Sequence, residues 1–210
     1  MDCPLDAKIH SMLKPTGLPT LPFESKKKWV DWLAKHHDKS MGVWLKLGKK
    51  GTRIPSVTYE EALDVALCYG WIDGQKGSFD DKYWLQKFTP RGSKSIWSKI
   101  NTEKVERLIK SGEMTPAGLK AIEAAKKDGR WEAAYASQKN ISIPDDFQAA
   151  LNTNKKAKAF FETLKSAERY SFLFRIQTAK KAETRAKRIQ QFVEMLARNE
   201  KLHEFLVKKK

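Results

Sequence analysis

The chain has 210 residues, of which 40% are hydrophobic and 31% charged. That is enough apolar material for a core without disulfides or metals, which excludes a disordered chain and a cysteine-stapled mini-fold. A formal net charge of +16 suits an anionic partner but does not bear on fold. No run of eighteen apolar residues is present, and residues 1–23 have no apolar stretch followed by a small-residue cleavage site. Neither a membrane span nor a secretory signal is expected, and the cytoplasm is the expected compartment.

Residues 1–24 carry Pro4, Pro15, Pro19 and Pro22 together with Gly17, a density that predicts an extended arm. Ordered structure is expected from Ser25, where Trp29, Trp32, Leu33 and His36 recur at helix spacing. Val43, Leu45 and Leu47 alternate with Trp44 and Lys46, which predicts a strand over 43–48. Thr58 and Glu61 form a capping box ahead of a helix with Ala62, Leu63, Ala66 and Leu67 inward and Gly70 as its stop. Strands are expected over 71–76 and 83–88, joined as a hairpin through turn residues from Gly74 to Lys82.

After Pro90 the pattern becomes helical. Asn101 or Thr102 is the expected cap of a helix that turns Val105, Leu108 and Ile109 inward and stops at Gly112. Thr115 with Pro116 opens the next helix, with Leu119 and Ile122 inward and Gly129 as its stop. Pro144 with Asp145 and Asp146 starts another, since acids suit a first turn. A helix over Ala157 to Leu164 follows, then one capped by Ser166, then a last helix over 182–198 that extends towards 207. The expected fold is α+β: a small antiparallel sheet packed by helices, followed by an all-helical C-terminal half. The expected division is an arm (1–24), an α+β domain (25–139), a helical region (140–207) and a basic tail (208–210).

Four stretches carry a resemblance in order along the chain: YEEALDVALCYGWIDGQ, DDKYWLQKFTPRGSKSIWSKIN, MTPAGLKAIEAAKKDGRW and TAKKAETRAKRIQQFVEML. Together they resemble the bacterial YdeI/OmpD-associated family, also labelled bacteriocin-protection proteins, over about residues 25 to 200. The resemblance implies a role near the cell envelope or in stress tolerance. It brings no catalytic residues with it.

Several constellations are candidates for chemistry. The last 44 residues carry +7 of the +16. On the last helix Ala182, Ala186, Ile189, Val193 and Leu196 read as a buried seam, with Lys181, Arg185 and Arg188 as an adjacent cationic ridge. That ridge is either a face paired with acids of another element or an anion site for phosphate, nucleic acid or an acidic protein. Around the hairpin, Trp71, Asp73, Arg91 and Trp97 are candidate ligand-binding residues, with Asp73 a possible base if burial raises its pKa. The competing reading makes Asp73 a turn residue paired with Arg91. Seven tryptophans are either core or stacking platforms for bases, with Trp44 and Trp84 foremost. The four histidines and two cysteines show no metal-ligand spacing, so no metal is expected, and no cofactor is expected because the nucleotide-loop and nucleophile-elbow motifs are missing. The leading expectation is a non-enzymatic, stress-associated protein that binds an anionic partner through its basic C-terminal helix. A small-ligand binder or enzyme at the hairpin cleft, and a protein–protein adaptor, are the alternatives.

Overall fold

The computed structural model describes residues 17–202. Expectations placed on Cys3, Pro4, Pro15, His10, His203 and the 208–210 tail lie outside them. The fold is α+β. The chain divides into two units: one comprises the residues up to Ile96 together with Asn101–Glu132, the other Trp97–Ile100 together with the chain from Ala133 onward.

The first unit begins with β1 (Thr20–Pro22), α1 (Lys26–His36), β2 (Val43–Gly48) and α2 (Tyr59–Cys68). It continues through β3 (Trp71–Ser78), β4 (Tyr83–Pro90), most of α3 (Lys99–Lys110) and α4 (Pro116–Lys127). The sheet order is β1-β2-β4-β3, antiparallel except for the parallel β1–β2 pair. β1 corrects the expectation of order from Ser25 alone. Pro22, with Pro19 just before the strand, sits at an edge, where a missing N–H breaks no ladder, and Pro19 O accepts from Trp44 N at 2.9 Å.

Register puts Val43, Phe88 and Asp73 in line across three strands, with Leu45 opposite Gln86. Trp29 of α1 covers that face: its ring lies 5.8 Å from Phe88 and 6.4 Å from Trp71, and its indole N–H donates to Ala62 O at 3.1 Å. β3 runs further than expected, so the turn shrinks to Phe79–Lys82, where Asp80 Oδ1 accepts from Lys82 N and Tyr83 N at 2.8 and 2.7 Å. Of the residues expected in the turn, Gly74 and Gln75 instead form a bulge between Asp73 and Lys76. The buried amide of Gln86 stitches that bulge, donating to Gly74 O at 2.9 Å.

The capping box of α2 forms as its sequence dictates, and Gly70 adopts φ 72° just past its end. α4 crosses α2 closely. A Cβ on Gly118 would stand 2.3 Å from Cys68 O, and Thr115 Oγ1 donates to the same carbonyl. Leu119 is therefore turned outward, 39% exposed, and Ile109 is 43% exposed, both against expectation. The inward residues are Val105 and Leu108 on α3 and Gly118, Ile122 and Ala125 on α4. α3 starts at Lys99, earlier than the expected cap at Asn101 or Thr102.

In the second unit Trp97–Ile100 pairs with Tyr135: Tyr135 N donates to Trp97 O at 3.0 Å and Lys99 N to Tyr135 O at 2.9 Å. Four helices follow: α5 (Asp145–Thr153), α6 (Lys155–Thr163), α7 (Ser166–Gln177) and α8 (Ala182–Ala197). Lys165, rather than Ser166, occupies the cap position of α7, its N–H donating to Glu168 Oε2 at 2.8 Å. The core centres on Phe147, Phe161, Phe172, Phe192, Met195 and Leu196.

Candidate functional site

The hairpin residues serve the fold. Trp71 is 1% exposed and donates its indole N–H to His37 O at 3.0 Å. Asp73 is half-buried and accepts from the Tyr59 hydroxyl at 2.8 Å. That bond ties the start of α2 to β3. Arg91 donates its backbone N–H to Gly70 O at 2.9 Å and Nη1 to Ile96 O at 3.2 Å. Trp97 belongs to the second unit and is buried. The structure thus buries both tryptophans of the expected ligand site and gives Asp73 a tyrosine as its partner. Trp44 is 6% exposed, and the ring of Trp84 is covered by the Lys76 ammonium 4.6 Å from its centre.

The C-terminal ridge is also rearranged. Lys181 precedes α8 at its exposed N-cap position, outside the helix proper. Arg185 makes a bidentate pair with Asp146 of α5 at 2.6 and 2.8 Å and donates Nη1 to Ile176 O at 3.0 Å. Arg188 donates to Arg175 O. Arg175 and Ile176 lie in the last turn of α7, whose carbonyls lack in-helix donors and carry the negative end of the helix dipole. Two guanidinium groups are the complement such an end requires. The hydrogen bond from Arg185 holds the Asp146 carboxyl below its ordinary range. Arg185 and Arg188, both half-buried, are a clamp within the helical unit, tying α8 to α5 and to the end of α7.

The expected seam is divided: Leu196 is buried in the core and Ile189 and Val193 pack against it, while the start of the seam opens to solvent. Ala182 and Ala186 are exposed, while Ile189 and Val193 are half-buried. With Ala150 of α5 they line an apolar groove of about 580 Å³, closed at one end by the Arg185–Asp146 pair and rimmed by Gln190 and Glu194. One turn further along α8, Ala197 joins Ala159 and Phe160 of α6 in a second depression of about 360 Å³. The two share one apolar stripe down α8. The spacing of four, three and four residues that made these positions look like a core seam was the signal for the groove. Residue size was the missing discriminator, since the true core face carries Phe192 and Met195.

Among the described residues, no three His, Cys, Asp or Glu side chains are grouped to hold a metal ion, and no helix is long and apolar enough to cross a membrane. Residues 140–199 match the family described as bacteriocin-protection, YdeI or OmpD-associated. Residues 21–121 match a domain of unknown function (DUF8412). No curated protein and no solved structure matches the chain.

Proposed function

We propose that this chain, which carries a bacteriocin-protection, YdeI or OmpD-associated domain over residues 140–199, is a non-enzymatic binding protein with a bacteriocin-protection-like role, and that the groove along α8 is its working surface. The observation that carries this reading is the groove itself. It is apolar and open to solvent, and every residue that lines it falls inside the matched segment. An α-helix with an apolar stripe fits such a surface, because ridges of side chains seat into grooves at interaxial distances of about 8–10 Å. A reducing compartment such as the cytoplasm suits the free, buried thiol of Cys68. An anionic partner draws its support from the +16 charge alone, since Arg185 and Arg188 are engaged within the unit.

The test is survival. Bacteria sensitive to a bacteriocin are expected to survive challenge better when they express the chain. Ala186→Arg places a long side chain in the groove from an exposed helical position, where it leaves the fold intact. It is expected to abolish the protection with no change in melting temperature. Undiminished protection by the folded variant rejects the groove as the working surface.

A further inference from the structure

We infer that the occupant of the groove is α8 of a second copy of this chain, packed antiparallel across a two-fold axis. The inference rests on reading the groove as the working surface and names what fills it. Beside the apolar stripe, one residue further round the helix, runs an edge of Glu183, Lys187, Gln190, Glu194 and Arg198, all exposed. Its charges read acidic, basic, neutral, acidic, basic. Reversed, the same edge reads basic, acidic, neutral, basic, acidic. An antiparallel copy therefore sets each charge against its opposite: Glu183 faces the partner subunit's Arg198, and Lys187 faces the partner subunit's Glu194. A parallel copy sets this edge against the opposite flank of the partner's stripe instead, so the self-pairing of these charges belongs to the antiparallel arrangement.

The alignment that pairs the charges also packs the stripe. With the two-fold between Gln190 and Gln191, Ala186 falls between Val193 of the partner subunit and Ala197 of the partner subunit. Ile189 falls between the partner subunit's Ile189 and the partner subunit's Val193. Side chains that interleave in this way are the knobs and holes of paired helices. Polar and apolar patterns thus specify the same register, and both are self-complementary, as an isologous contact requires. Within one copy Arg198 pairs with Glu200 at 3.1 Å and Gln190 donates to Glu194 at 3.1 Å. Both contacts are on the surface and exchange at small cost. A stripe of five α8 residues with shoulders from α5 and α6 is at the small end of protein interfaces, so the association is weak and concentration-dependent.

Sedimentation equilibrium on the full chain tests this. The expected result is a monomer–dimer equilibrium. Glu194→Lys replaces two symmetry-related attractions by two repulsions and raises the dissociation constant about tenfold. Lys187→Glu combined with Glu194→Lys restores the attraction and returns the constant to within about threefold of the original. Ala186→Arg leaves only monomer. A chain that is monomeric at every concentration overturns the inference, as does a dimer indifferent to Glu194→Lys and to Ala186→Arg. The two readings fail separately. A monomeric chain that still loses bacteriocin protection through Ala186→Arg keeps the groove and rejects the second copy. A dimer that follows the charge swaps, in a chain whose protection survives Ala186→Arg, keeps the second copy and rejects the groove's protective role.

Discussion

The guanidinium of Arg185 meets both carboxylate oxygens of Asp146 and reaches the carbonyl of Ile176 as well. Its charge is therefore used three times within one helical unit. Asp146 is half-exposed, so the pair has the strength of a surface ion pair, about 1 kcal/mol. The folded carboxyl is held below the ordinary aspartate value of 3.8. A depressed carboxyl contributes stability that is whole above its unfolded value and is lost as pH falls through its folded one. Asp146→Asn is thus expected to lower the melting temperature at neutral pH. The gap to the unaltered chain should hold down to about pH 5 and close as pH falls below 3.8. Equal gaps at pH 7 and at about pH 2 would show that the carboxylate charge is not what holds the helices. Cys68 gives the opposite shift. Burial raises its thiol from 9.0 to about 11, which cuts the thiolate fraction near pH 8 about a hundredfold. Alkylation of Cys68, followed by mass spectrometry of its own peptide, is expected only on unfolding. Rapid labelling of the native chain at that peptide would contradict its burial.

At the scale of elements, what was legible in the sequence depended on whether the signal was local. Thr58, Glu61 and Gly70 bound α2 through contacts within a few residues of each other, so its limits follow from the sequence. β1 does not, because its strand character comes from Trp44 reaching Pro19, and prolines alone read as breakers. The face of α8 misleads for a related reason. Two stripes one residue apart compete, and the inward one contains arginines whose partners on α5 and α7 lie far away in sequence. The candidate groove was hidden by the same choice, and the hairpin site appeared plausible because indole burial is invisible in a strand pattern. The α2–α4 crossing yields a further expectation. Alanine at position 118 gains up to ~1 kcal/mol of helix propensity over glycine. Against this, its Cβ would stand 2.3 Å from Cys68 O and 2.4 Å from Met114 Sδ. A methionine sulfur can move aside, but a helix carbonyl cannot move without its helix. The overpacking cost of roughly 1–3 kcal/mol wins, and Gly118→Ala is expected to lower stability in chemical denaturation. A stabilised variant would mean that the two helices separate freely.

For the whole molecule, the question is where a charge of +16 acts. Cations held by carboxylates and helix ends contribute little to a counterion atmosphere, because their field is already answered nearby. Lys104 is held by Glu60 and Asp64, Arg107 by Asp64, Lys26 by Glu113, Arg130 by Asp128 and Arg185 by Asp146. The C-terminal ridge retains exposed Lys181 as its one solvent-facing cation, since Arg188 is turned to the end of α7. Each cation that neutralises a phosphate of duplex DNA contributes about −0.9 to the slope of log affinity against log salt. Three free cations on one ridge would together contribute about −2.7. With the two arginines clamped, replacing Lys181, Arg185 and Arg188 by Gln is expected to flatten any such slope by no more than about 0.9, the share of Lys181. The same replacement is expected to cost stability, because Asp146 loses an ion pair of about 1 kcal/mol and the carbonyls of Arg175 and Ile176 lose charged donors. Titration of duplex DNA at several salt concentrations, alongside thermal melting of the same variant, separates the two effects. A slope change near 2.7 with an unchanged melting temperature would return the ridge to an anion site and remove the clamp.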